Sequence, residues 1–138
     1  LFEAYLEEAN LSEAKLTRCN LTRANLAKVV MNDAVMVEAT LSRANLTKSI
    51  LKRVNLNNSN LVRADLSKTD LSGANLRGAD LLLANLFEAD LRGADLRGAN
   101  LTKVDLTAAN LQDADLTDAI LNETELHQAI MPDVAQHA

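Results

Sequence analysis

Large apolar residues return along this chain at every fifth position. From Leu1 to Met131 there are 27 such positions; 24 hold Leu, and Met31, Met36 and Met131 fill the rest. With this position called i, the residue at i−2 is small: 18 of 26 positions from Ala4 to Ala129 are Ala, and the other eight are Cys, Ser, Thr or Val. Asn or Asp occupies 17 of the 26 positions at i−1. The two remaining positions, i+1 and i+2, are mostly polar and vary freely. Residues 71–100 carry the pattern at its purest: LSGAN LRGAD LLLAN LFEAD LRGAD LRGAN.

A period of five fits neither ordinary element. On an α-helix a step of five rotates by about 140°, which spreads the leucines around every side. On a straight strand five is odd, so successive leucines would change faces. The pattern becomes consistent if each five is a short extended segment closed by a corner. Positions i−2 and i then share a face, and the corner resets the phase. A chain that turns the same way every five residues coils into a solenoid with Leu and the small residues inside. Similar residues also recur at intervals of 20: Arg23, Arg43 and Arg63; Lys28, Lys48 and Lys68; Gly73 and Gly93; Gly78 and Gly98. That spacing favours four fives per coil, and at ~4.8 Å per coil a rod roughly 30 Å long.

The registered fives resemble the pentapeptide-repeat family over nearly the whole chain. The resemblance implies an all-β fold, a right-handed quadrilateral β-helix with about 20 residues per coil and six to seven coils. Residues 1–134 form the predicted β-helix and 135–138 a C-terminal tail, because Gln136 stands where Leu is due. The ending Ala-Ile-Met-Pro-Asp at 129–133 is similar to the repeat terminus of cyanobacterial members.

Corner chemistry is legible at two positions. All four glycines (Gly73, Gly78, Gly93, Gly98) fall at i+2, where a tight corner favours positive φ, so they are turn residues and not a phosphate loop. The i−1 Asn and Asp have short side chains suited to bonding backbone near the turn. Stacked columns mostly alternate Asn with Asp, and only Asp70 over Asp90 and Asp95 over Asp115 place one Asp on another. The single Cys19 occupies an i−2 position and is expected as a buried stand-in for Ala. Val30, Val35, Val37 and Ile50 replace polar residues on the outside, as an apolar ridge or as local strand formers. Phe2 and Tyr5 are expected to cover the open end of the first coil.

Charge is distributed in blocks. Residues 1–15 carry net −3, residues 16–68 carry +6 and residues 69–138 carry −8, within a total of −5. The central block places Arg23, Arg43 and Arg63 in one column and Lys28, Lys48 and Lys68 in the next, a candidate basic face. Like charges stacked across neighbouring strands repel, so these columns need counter-charge or a reason. A candidate partner surface lies beside them. In the five reading LLLAN, Leu81 is the core residue, so Leu82 and Leu83 face out; Val62 lies beneath Leu82, and Phe87 projects from the adjoining face. A contiguous apolar cluster of this kind marks an interface more often than a scattered leucine does.

Several function classes find no support. His127 and His137 lie outward near the end with no nucleophile to pair with. No Cys or His cluster has zinc spacing, and there is no Walker loop or dinucleotide fingerprint. No catalytic residue, cofactor or metal is expected. No apolar run approaches ~18 residues, so no membrane span is expected. The chain is placed in the cytoplasm, although its start at a mid-register Leu leaves room for a removed leader or cap. Three readings remain. The preferred one is a non-catalytic interaction or regulatory scaffold with an unidentified protein partner and scope for self-association. The alternative follows the quinolone-resistance branch of the family, whose members resemble B-DNA and bind DNA gyrase; the central basic belt interrupts the negative surface such mimicry needs. Direct nucleic-acid binding through the two basic columns is disfavoured by the net charge and the lack of interleaved aromatics.

Overall fold

The computed structural model describes residues 1–133, and the tail at 135–138 together with His137 lies outside them. Each five has a three-residue edge, i−2 to i, followed by a two-residue corner at i+1 and i+2. The residue at the middle of an edge pairs in parallel with the residue twenty further on, from Tyr5 with Asn25 to Asn110 with Ile130. Four corners therefore separate each residue from the one stacked on it. Edges this short give isolated one-residue bridges and no continuous strand among the described residues. The predicted β architecture is thus present as single rungs.

Each rung is tied by several backbone bonds. Asn25 donates its N–H to the Ala4 carbonyl at 2.9 Å, while Leu6 donates to the Asn25 carbonyl at 2.8 Å. A further bond joins the corners, as from Glu8 N–H to the Ala27 carbonyl at 3.0 Å. Within each corner the i+3 N–H returns to the carbonyl of i, as from Ala4 to Leu1 at 2.9 Å. Those i+2 residues hold φ between 55° and 63° at 22 non-glycine positions, and 67–68° at the four glycines. Positive φ at the third turn residue is the mark of a type II turn. Glycine is therefore one way of filling a conformation that the whole chain adopts.

All 17 Asn and Asp side chains at mid-edge accept the N–H two residues on, as Asn10 does from Ser12 at 3.1 Å and Asp90 from Arg92 at 3.1 Å. These Asx turns satisfy the i+1 donor at the start of each corner and fix where the corner begins. The short polar side chain is thus as regular a part of the fold as the leucine.

Leu and Met at i, and the small residues at i−2, fill the interior from Leu21 to Ala114 with almost no exposure. Of the polar residues that replace Ala inside, Ser49 and Thr69 donate their hydroxyls to the Leu46 and Leu66 carbonyls at 2.6 Å. The Ser59 hydroxyl is buried without a partner among the described residues.

The terminal coils pack on one side only. Leu1 is 56% exposed and Leu121 39%, while Leu6, Leu11 and Leu16 are half-buried. Phe2 and Tyr5 do not seal the first coil as expected, being 56% and 80% exposed. They sit at a corner and at mid-edge, both on the outer wall, so neither position carries a ring across the open end. Cys19 belongs to the same coil and is half-buried, packed against the core beside Ala39 rather than fully enclosed.

Candidate functional site

The outer wall carries all the chemical variety, because the interior columns repeat one pair of residues. Numbering the corners along a coil, the first holds 2 and 3 with their stacked successors, the second 7 and 8, the third 12 and 13, the fourth 17 and 18. The wall between the first and second corners has Asn45, Asp65, Asn85 and Asp105 at mid-edge, each bridged to the next.

The four apolar residues singled out above meet at this wall. Val62, Leu82 and Leu83 belong to the first corner and Phe87 to the second. Arg63 N–H bonds the Leu82 carbonyl at 2.9 Å, and Lys68 N–H bonds the Phe87 carbonyl at 2.8 Å, so this coil is locked to the one below at both corners. The Asp80 and Asn85 carboxyl and amide oxygens hold the N–H groups of Leu82 and Phe87 at 3.1 and 3.0 Å. Leu83 is 38% exposed, whereas Val62, Leu82 and Phe87 are half-buried. The patch is therefore narrower than the expected cluster of four outward groups. Along most of the chain the i+1 residue is more covered than the i+2 residue, and three of the four residues are at i+1.

The basic columns also divide. Arg23 and Lys28 meet Glu3 and Glu8 of the coil below, each at 3.9 Å. Arg43, Arg63, Lys48 and Lys68 are exposed and make no ion pair with any described residue. Of the six predicted basic residues, the structure neutralises two and leaves four as an uncompensated group in the coils 41–60 and 61–80.

The third and fourth corners differ. Arg53 Nε and Nη2 grip both carboxylate oxygens of Asp33, one coil below, at 2.8 and 3.0 Å. This pair was not anticipated; its 20-residue separation carries the signal only once the coil length is known. The Arg53 hydrogen bonds hold the Asp33 carboxyl below its ordinary range. Arg92 and Arg97 grip Asp90 and Asp95 two residues back, at 2.6 and 2.7 Å, and lower those carboxyls in the same way. The two stacks of Asp on Asp are thereby compensated: Lys52 reaches Asp70 at 3.7 Å, and Arg97 lies 3.7 Å from Asp115 as well. Asp115 is held low mainly by the Thr117 hydroxyl and N–H. Among the described residues no group of three or more His, Cys, Asp or Glu is arranged to hold a metal, and no helix is long and apolar enough to cross a membrane. Val30 and Ile50 stack as a bridged pair on one wall, while Val35 and Val37 occupy the next, so the four do not form a single ridge.

Rungs twenty residues apart, an inner column of Leu beside Ala, and Asx-capped corners define a repeat protein built from fives. The Pentapeptide repeats family model matches in eight copies, with matched segments 4–43, 14–53, 39–78, 64–102, 84–122 and 99–134. The chain belongs to the pentapeptide repeat family. Among solved structures it is similar to HetL, a pentapeptide repeat protein involved in heterocyst differentiation regulation from the cyanobacterium Nostoc sp. strain PCC 7120: identity is 40%, TM-score 0.54, and the match covers 96% of this chain and 66% of HetL. The chain thus spans about two thirds of HetL's length. A pentapeptide repeat protein of the Arabidopsis thaliana thylakoid lumen matches at 26% identity and TM-score 0.55 over 82% of this chain and 72% of its own. Full-length QnrB1, a plasmid-mediated fluoroquinolone resistance protein, matches at 17% identity and TM-score 0.50 over 97% of this chain and 82% of its own, a likeness of fold alone. No curated protein matches significantly.

Proposed function

We propose that this chain is a non-catalytic regulatory scaffold, a right-handed quadrilateral rod of six to seven coils that binds a protein partner through the wall between its first and second corners. The observation that carries the reading is Leu83, an exposed leucine on a positive-φ corner (φ 62°), with the half-buried Val62, Leu82 and Phe87 on the same two corners. Elsewhere on that wall the corner positions are filled by Ser, Thr, Ala or charged residues in most coils. Kinship with HetL, a protein involved in differentiation regulation, supports a regulatory role over a purely structural one. The gyrase-directed DNA-mimic reading is weaker, since four unneutralised cations interrupt any continuous negative wall.

The test is the double variant Leu83→Glu/Phe87→Glu. Neither residue belongs to the core columns, so circular dichroism and thermal unfolding are expected to match the parent. Sedimentation and retention of partner protein on the immobilised rod are expected to lose the association seen with the parent. A double variant equal to the parent in both measurements would sink the proposal.

A further inference from the structure

Arg43 and Arg63 stack at the first corner, and Lys48 and Lys68 at the second, with Asp65 the only carboxylate at mid-edge between them in these two coils. The Asp65 Oδ1 is already engaged by the N–H and hydroxyl of Ser67 at 3.1 and 2.8 Å. Like cations one rung apart repel, and all four sit on left-handed backbone, φ 57–60°, where glycine is the least strained residue. At the ends of the same columns the chain does supply counter-charge, through Glu3 and Glu8 below and through Glu123, 3.8 Å from Lys103, above. The uncompensated charge is thus confined to the middle of one wall, and the apolar patch of Leu83 and Phe87 adjoins its upper edge.

We infer that this wall recognises an acidic segment of another protein that carries a large apolar residue beside its carboxylates; the inference rests on the scaffold reading above and adds the chemistry of the partner. Four cations two rungs deep match a short run of Asp and Glu, and Leu83 with Phe87 receive the apolar anchor. A nucleic acid fits less well. The positive patch spans only two rungs, ~5 Å apart, while duplex DNA presents a charge every ~1.7 Å along its axis for as far as it runs. A long polyanion would continue onto Glu88 one coil above and, beyond the paired Arg23 and Lys28, onto Glu3 and Glu8 two coils below, all in these same columns. In a second copy of the chain the stacked carboxylates Asp70, Asp90, Asp95 and Asp115 are already committed to cations or to their own corners.

The experiment selects a random twelve-residue peptide display library on the intact protein, and measures the enriched peptides by fluorescence anisotropy. Enriched peptides are expected to join clustered Asp or Glu to Leu, Ile or an aromatic residue. Their affinity is expected to fall at least tenfold in Arg43→Gln/Arg63→Gln/Lys48→Gln/Lys68→Gln, at least tenfold in Leu83→Glu, and steeply with added salt. The smaller variant Lys48→Gln/Lys68→Gln repeats the comparison should the fourfold change fold poorly. Peptides without acidic residues, equal binding by the fourfold variant, or no peptide preferring the parent would overturn the inference. So would a 20-base-pair duplex binding more tightly than the peptides at 150 mM salt, or salt-sensitive dimerisation that depends on the four cations. Apolar peptides lost only with Leu83→Glu/Phe87→Glu would remove the charge claim and leave the scaffold reading standing; acidic peptides indifferent to Leu83 and Phe87 would do the reverse.

Discussion

At Arg63 and at Arg53 the chain places the same side chain on nearly the same backbone, φ 60° and 55°, two corners apart along the chain. Arg53 is gripped by Asp33 through two hydrogen bonds. Arg63 makes no ion pair with any described residue. The third and fourth corners mostly continue as Arg53 does: Arg18, Lys52, Arg92 and Arg97 pair with carboxylates, glycine stands at Gly73, Gly93, Gly78 and Gly98, and of their cations only Arg77 makes no ion pair with a described residue. The first and second corners stack like charges and an exposed leucine instead. Since both halves of the coil share the core and the Asx turns, the fold does not require either arrangement. The corner side chains are free variables, and their difference around the rod is the part of the sequence available for recognition.

That comparison rests first on a common core, and the largest effect tests it. Leu61 underlies the open first corner and Leu76 the glycine-bearing fourth, and both are fully buried. Leu61→Ala and Leu76→Ala are each expected to cost about 2–5 kcal/mol by lost burial and cavity formation. Denaturant unfolding that finds one of them within ~0.5 kcal/mol of the parent would show that the two walls do not share one interior.

A smaller effect tests whether the corners share one backbone. A methyl added at Gly93 meets nothing within 4 Å, so Gly93→Ala isolates the cost of positive φ. About 1 kcal/mol of destabilisation is expected, and Arg63→Gly is expected to gain a similar amount. Opposite shifts in thermal midpoint check the pair; shifts of one sign would mean that the corners differ in backbone after all.

The smallest effect separates the paired corners from the open ones by pH. The folded Asp90 and Asp95 carboxyls lie below their ordinary values because Arg92 and Arg97 bond the ionised forms. Their stabilisation is present above the unfolded carboxyl range, about pH 4, and is lost as pH falls through the lower folded values. Arg92→Gln/Arg97→Gln is expected to lower stability slightly at pH 7 and to flatten the decline below pH 4, where parent and variant converge. Arg43→Gln/Arg63→Gln should leave the acid limb where it was. Equal acid limbs in the parent and the first variant would show those ion pairs to be too exposed to matter.

Much of this was readable in advance. The Leu and Ala columns, the twenty-residue stacking and the backbone role of Asn and Asp follow from spacing, because a five-residue period admits few geometries. The corner conformation was only half legible: four glycines pointed to it, but Glu, Arg and Lys, which fill most of the 22 other positions, carry no positive-φ signature of their own. The site was legible as a place and less so as a shape. Leu83 stands out as foreseen, whereas Phe87 folds against the wall, a matter of side-chain packing that alternation cannot resolve. The stacked cations were visible, yet Glu3 and Glu8 at the foot of the same columns decide which of them stay uncompensated, and that depends on distance.

The isolated rung also governs how such a rod tolerates changes in length. Every five presents the same inward pair, so a duplicated or deleted five leaves the interior filled and each new rung bonded. The outer wall does not survive the same edit. Five residues inserted after position 60 would carry Arg63 over Lys48 and Lys68 over Arg53, turning every later column by one corner. Only insertions in multiples of twenty keep the proposed recognition wall in line, so the gene can lengthen the rod in small steps without unfolding it, but can preserve the columns of its outer wall only in whole coils.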